Sequence, residues 1–287
     1  MVALLICFSA FSQESSPASS QPSKTDKRFF VGLSYSYMNI STKLTSLSLH
    51  SIWYDQDLGT QELSSDEIDM INSYAERNNR VNNLNVDIGM NIIGNQASKW
   101  RLEGNIMLGL AHFTSKVYNT TTSSEEYLFK SDFSKPALGI AFNAGYRFNS
   151  HWGITLRPLF ATTFGKITKV EDKVNLVPEN VTQAGEDKFY SFYERVSITA
   201  DFSVGPVTIS AGPGFYMANS RHAYTITRTN NLTGQINTEE IKTTTRSRNF
   251  MDGNLSVLWK INTLFTLSAT TGIGNDIIFG AGLHYNF

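Results

Sequence analysis

Apolar residues recur at every second position through segment after segment of this chain. In VNNLNVDIGMNII (81–93), Leu84, Val86, Ile88, Met90 and Ile92 fall on one side. Asn83, Asn85, Asp87, Gly89 and Asn91 fall on the other. An α-helix would spread these residues around its circumference, whereas a strand sorts them onto two faces. ALGIAFNAGYRF (137–148) sets Leu138, Ile140, Phe142, Ala144, Tyr146 and Phe148 against Gly139, Asn143, Gly145 and Arg147. DIIFGAGLHYNF (276–287) sets Ile277, Phe279, Ala281, Leu283, Tyr285 and Phe287 against Gly280, Gly282, His284 and Asn286.

Less pure alternation over 28–41, 98–115, 151–166, 187–204, 206–219, 248–261 and 263–273 brings the expected strand count to about ten. Eight or twelve fit if 41–50 is read differently, as an extension of the first strand or the start of a loop. A soluble β-sandwich alternates as well, so alternation fixes the all-β class but not its surroundings. The connections are more telling. Short turns are expected near 94–97, 149–150, 204–206 and 262–263, and long polar loops near 51–79, 119–134, 169–186 and 222–245. Short turns at one end and long loops at the other are the asymmetry of a transmembrane barrel. Trp100, Trp152, Trp259, Tyr146, Phe148, Tyr285 and Phe287 flank the short turns, where an interfacial girdle belongs.

Composition agrees. Of 287 residues, 41% are apolar, 12% aromatic and only 17% charged. That is too polar for a bundle of membrane helices and too little charged for a typical soluble surface. Lipid outside and polar groups inside give this balance. A net charge of −1 offers no basic field for nucleic acid. Cys7 is the single cysteine, so no intramolecular disulfide forms.

Residues 2–12, VALLICFSAFS, read as a signal segment without a basic start, with Ala10 and Ser12 placing the cut before Gln13. Ile6 is too large to precede a lipid-modified Cys7. The Ser/Pro/Gln-rich stretch 13–27 reads as a disordered periplasmic lead-in, and 28–287 as one barrel domain.

The terminal strand, ending in Leu283, Tyr285 and Phe287 on one face, resembles that of Gram-negative outer-membrane β-barrel proteins, a porin-like superfamily. The resemblance covers roughly 28–287 as architecture. It implies an antiparallel up-and-down transmembrane β-barrel in the outer membrane. It also implies that those three residues belong to the signal read by the barrel-insertion machinery.

By alternation Asp87, Arg101, Glu103, Arg147, Arg157, Arg195, Asp201 and Lys260 point into the lumen, joined by His284. The inward face is expected to be polar. A barrel of this strand number is narrow and mostly filled by side chains, so these charges must pair or reach water. Arg101, Glu103, Arg147 and Asp201 are expected to form a network toward the periplasm, with Asp87 and Arg157 nearer mid-depth. Such a network is either a structural plug or a charged constriction. Inward Gly89, Ala111, Gly139, Gly145, Gly212, Gly280 and Gly282 leave space, or make room for arginines.

In the acidic first loop, Ser64 and Glu67 fit a capping box, with Ile68, Ile71 and Tyr74 at helical spacing, so a short helix is expected there. The acids lack calcium-loop spacing. Three Asn-x-Thr triplets, at Asn119, Asn180 and Asn231, carry no meaning for a bacterial barrel. No GxSxG, HExxH or phosphate-loop pattern is present. Ser220 stands two residues before His222, where an omptin-like protease would need an acid. His112 is followed by no convincing serine for a lipid deacylase, and His50 has no evident acid partner. The reading is therefore an integral outer-membrane barrel, porin-like or structural, not an enzyme, with no cofactor or metal. Its expected partners are membrane lipid and the insertion machinery. The alternatives are a lipid or peptide hydrolase at the extracellular rim, or an adhesin acting through loops.

Overall fold

Alternation carries almost directly into three dimensions. The structure, a computed structural model, describes residues 29–53, 56–93, 99–119, 127–166, 170–172, 179–183, 188–230 and 233–287. The expected signal segment 1–12 and lead-in 13–27 lie outside the described residues. The elements are β1 (Phe29–Trp53), β2 (Gln56–Glu62), α1 (Ser65–Tyr74), β3 (Ala75–Ile93), β4 (Trp100–Asn119) and β5 (Tyr127–Arg147). There follow β6 (Trp152–Lys166), β7 (Val170–Asp172), β8 (Glu179–Gln183), β9 (Lys188–Val204) and β10 (Val207–Asn230). The last are β11 (Ile236–Ser247), β12 (Met251–Lys260), β13 (Phe265–Ile273) and β14 (Ile277–Asn286).

The wall runs β1–β3–β4–β5–β6–β9–β10–β12–β13–β14, and β14 returns to β1 through Phe30↔Asn286 to Asn39↔Ile277. These ten strands are antiparallel throughout and leave no free edge, as the sequence pattern predicts. Three short turns share one end. Asn149 and Asn262 each accept two backbone N–H bonds of 2.8 Å in the residues that follow them, closing tight turns by side chain. Gly205 closes the third with φ +54°, a left-handed conformation that suits glycine.

On the outer surface, each wall strand carries a run of apolar residues beginning at that end. On β3 these are Ile92, Met90, Ile88, Val86 and Leu84; on β13, Phe265, Leu267, Ala269 and Ile273, interrupted by Thr271. The run covers roughly the 9–11 residues that a tilted strand needs to cross a bilayer. Aromatic rings line its lower margin. Trp100 meets Tyr146 at 4.8 Å, Trp152 meets Phe202 at 4.7 Å and Phe265 meets Tyr285 at 5.4 Å between centroids.

Above the belt the ring changes size. β12, β13 and β14 stop with the belt, at 10, 9 and 10 residues, while the other strands continue. β11 takes their place. It pairs with β10 from Asn219↔Arg246 to Thr229↔Ile236 and with β1 from Thr42↔Ser247 to Trp53↔Asn237. β1, β3, β4, β5, β6, β9, β10 and β11 thus make a narrower ring on top of the wider one, prolonged by β7 along β5 and β8 along β10. Much of what the sequence presented as loops, in 119–134 and 222–245, is therefore strand. The reason is that these segments stand clear of lipid. β11, INTEEIKTTTRS, carries Thr on both faces, so no apolar alternation announces it.

The capping box of α1 is present as expected. Ser64 accepts from the Glu67 N–H, and Glu67 accepts from the Ser64 N–H at 2.8 Å. Glu67 is fully exposed, and the hydrogen bonds from Ser64, backbone first, hold its carboxyl below the usual range. Asn72 bridges both backbone groups of Leu44 at 2.8 Å, and Arg248 donates to the Asn72 carbonyl at 3.0 Å. The helix is thereby pinned where β1 and β3 part.

The inner face departs in part from expectation. Its lower half is polar, and its upper half adds an apolar cluster among buried Asn, Ser and Thr. Met38, Ile40, Val81, Met107, Phe113, Phe133, Leu159, Phe189 and Ile226 are buried there in one cluster with Tyr193 and Tyr216. Alternation alone sorts residues by face. It does not say which face is lipid and which is a packed core once both are apolar.

Candidate functional site

Two layers fill the barrel, charged below and apolar above. In the lower layer Asp201 on β9 is the hub. Arg101 on β4 approaches it at 3.7 Å and Arg157 on β6 at 3.3 Å. Thr199 donates to the same carboxylate at 3.0 Å, and Thr155 donates to its other oxygen. Arg157 also donates to Ser210 on β10 and Ser256 on β12, each at 2.9 Å, and so reaches across from one wall to another. A planar guanidinium with several donors suits such a span.

Within the expected group, Asp201 takes Arg101 on one oxygen and, on the other, Arg157, which was expected nearer mid-depth. Glu103 is buried and accepts from Asn143 at 3.4 Å. Asp87, fully buried, lies 3.3 Å from His284 Nε2, with the Phe30 ring against the imidazole at 5.3 Å. Arg147 on β5 and Lys260 on β12 are half-buried at the lower ends of their strands. Arg195 sits higher, and both oxygens of Asp252 accept from its Nη2 at 2.8 Å.

Asp252 is a residue that the sequence reading missed, although alternation from exposed Met251 turns it inward. The pair is fitted between glycines. A Cβ at Gly214 would stand 2.3 Å from Asp252 Oδ1, and one at Gly272 would stand 2.4 Å from Oδ2. Gly214 and Gly272, not among the glycines the sequence pointed to, thus make room for the pair; of those it did point to, a Cβ at Gly145 would stand 3.4 Å from Arg101 Nη2.

Above this layer aromatic rings meet inside the barrel. Phe113, Phe133 and Phe189 meet pairwise at 5.2, 5.7 and 4.8 Å, from three strands. Met107 and Phe113 have no exposure at all. Over the rings lies a cavity of about 590 Å³ in the upper ring, lined by Leu47, Leu63, Phe189, His222 and Thr243 among others.

A third feature marks the step from ten strands to eight. The β13–β14 hairpin ends at Asp276, which is buried. Its Oδ1 accepts from the Ser41 N–H at 2.9 Å and from Asn249 at 3.2 Å, and its Oδ2 accepts from the Tyr216 hydroxyl. One carboxylate joins β1, β10, the β11–β12 junction and the hairpin tip. The sequence offers GIGND only as a turn; nothing local signals the convergence.

The histidines separate cleanly. His222 is buried and contacts Ser220 at 3.3 Å. His151 bonds the Ser203 carbonyl oxygen at 3.0 Å. His50 does have an acid partner, contrary to expectation: Asp57, at 3.5 Å, brought close by the β1–β2 hairpin. His112 does have a serine, Ser134, at 3.0 Å on the neighbouring strand and 22 residues away, out of reach of a search along the chain. Leu283, Tyr285 and Phe287 face outward at the lower end of β14 and beyond it. No cluster of metal-ligating side chains occurs among the described residues.

No family model matches the chain, and no curated protein matches it. Among solved structures it is similar to the translocator domain of autotransporter NalP from Neisseria meningitidis, at 8% identity and a TM-score of 0.42, covering 93% of this chain and 90% of that one. It is similar also to the outer membrane protease OmpT from Escherichia coli, at 5% and 0.37, covering 89% and 97%. A third is the toluene transporter TodX from Pseudomonas putida, at 8% and 0.33, covering 92% and 90%. Three such different proteins assign no activity. The class follows instead from the surface of this chain. Ile88, Leu84, Leu108, Ile154 and Leu255 belong to a continuous exposed apolar band that water would not tolerate and lipid covers. Beneath it run the aromatic girdle and the short turns. A closed sheet crosses lipid with every strand edge paired, and by that wall and that belt this chain is built as a membrane-spanning β-barrel.

Proposed function

We propose that this barrel is a closed, structural outer-membrane protein that carries no solute through its axis and displays the eight-stranded ring outside the cell. The observation behind this reading is the ring cluster of Phe113, Phe133 and Phe189 with Met107, buried across the lumen. Ions pass through water, and an apolar constriction hinders them by shedding it. The charges below it serve the wall. Asp201 neutralises Arg101 and Arg157, and Asp252 neutralises Arg195, each from another strand, so they tie strands together across the interior. In the same reading Leu283, Tyr285 and Phe287 act before this state is reached, as the signal for the insertion machinery. Single-channel recording in planar bilayers tests the proposal. The wild type is expected to insert without steady conductance, and the double change Phe113→Ala with Phe189→Ala to conduct. A stable wild-type conductance whose ion selectivity inverts in Arg157→Glu would replace the plug with a charged constriction.

A further inference from the structure

Polar residues on the outside of the wall are ordinary above the belt, but one pair there has the geometry of a nucleophile and its base. His112 on β4 stands directly opposite Ser134 on β5. Both are exposed, and Ser134 Oγ lies 3.0 Å from His112 Nδ1. On the other side of His112, in the same register row, is Asn82 on β3. The Asn82 Oδ1 accepts from the Tyr35 hydroxyl at 2.8 Å, which fixes the amide. A cross-strand hydrogen bond alone would account for a serine beside a histidine. What sets this row apart is hydroxyl, imidazole and an anchored amide in sequence, which is the order of nucleophile, base and orienting group.

Depth adds the substrate. The row immediately below is Leu84, Leu110 and Pro136, the last of the belt, with both leucines widely exposed. The row above holds Arg80, Thr114 and Asp132. The pair therefore lies where hydrocarbon gives way to headgroups. Acyl ester linkages of membrane lipids lie at that depth, and exposed Arg80 offers a cation to their phosphates.

We propose that Ser134 and His112 hydrolyse an acyl ester of an outer-leaflet lipid, with Asn82 as the positioning residue. Ser134 Oγ attacks the ester carbonyl carbon as its proton passes to His112 Nδ1. The tetrahedral adduct collapses, and the alcohol leaves with that proton, so the acyl group rests on Ser134. Water then gives a proton to His112 and its oxygen to the acyl carbon, and the fatty acid and the free serine are regenerated. No metal or further reactant enters the balance.

The test uses the full chain, refolded in detergent and checked by its heat-modifiable mobility. It is presented separately with vesicles of diacyl phosphatidylethanolamine and with micelles of acylated lipid A, and an alkyl fluorophosphonate probes for an activated serine. Fatty acid release from either lipid, with the probe attached at Ser134, is expected; the lipid that turns over identifies the source of the ester. Ser134→Ala and His112→Phe should fold normally, since both positions face outward. Both should lose activity by at least about a hundredfold. Asn82→Asp, which adds a charge beside the imidazole, should move the acid limb of the pH–rate profile upward, which a purely structural residue would not do. Absence of release from both lipids by folded wild type, labelling at Ser134 without turnover, or release undiminished in Ser134→Ala would each overturn the proposal.

Discussion

A charged side chain inside a barrel has to be held by something, and Arg195 shows what that demands. It is 5% exposed and its guanidinium rests on Asp252. Removing one partner of such a pair leaves a buried charge without compensation, at a cost of about 3–5 kcal/mol, whereas replacing both by apolar residues is often neutral. Asp252→Ala should therefore lower the unfolding midpoint in detergent markedly, and Arg195→Met combined with Asp252→Leu should recover most of it. Equal losses in the single and double variants would show that the pair is not coupled. Half of this was readable from sequence. Alternation turned Arg195 inward, but its partner lies 57 residues away, and pairing across a barrel follows register, which no local pattern records. The same holds for His112 and Ser134. Each is visible as a residue, and the contact exists only once β4 and β5 are aligned.

Elements were readable where lipid dictates them and unreadable above it. In the belt one face must be apolar, so β3, β5 and β14 declare themselves. Clear of the belt both faces meet water or a mixed interior, and β11 reads as a polar loop. Below it stands the β13–β14 hairpin, whose tip carboxylate Asp276 accepts from β1, Asn249 and Tyr216. In Asp276→Ala the Ser41 N–H loses its side-chain acceptor at that point, at roughly 1–3 kcal/mol. Amide exchange should accelerate first at the β1–β11 pairing near Thr42 and leave the belt strands protected. Uniform loss of protection would argue against a local joint. The helix was predicted from Ser64, Glu67 and three residues at helical spacing because a capping box is a local device. Its Glu67 carboxylate has a lowered pKa, so the stabilisation is complete above the unfolded value and fades as pH falls through the folded one. Proteolysis within 65–74 should accordingly quicken on acidification, and Glu67→Gln should blunt that dependence.

For the whole molecule, the belt decides where the barrel sits, and a charge scan can measure it. Ile88, Ile106 and Ile140 form one outward row across β3, β4 and β5, with apolar rows above and below it. Thr244 on β11 also faces outward, but its strand lies above the belt, among Arg246, Lys242 and Glu240. An arginine on the lipid face costs about 2–4 kcal/mol at mid-depth and close to nothing beyond the interface. Ile88→Arg should thus lose stability and membrane yield, and Ile140→Arg should do the same from a neighbouring strand, while Thr244→Arg should be silent. The contrast matters more than any single value, because all three sites face outward in the isolated protein and differ chiefly in what surrounds them. If the barrel stood in water, as a soluble β-sheet protein of similar pattern would, the three variants would behave alike, and arginine would improve the solubility of all of them. A graded loss that follows the rows from Ile88 to Arg80 would also locate the height at which the His112–Ser134 row meets the headgroups.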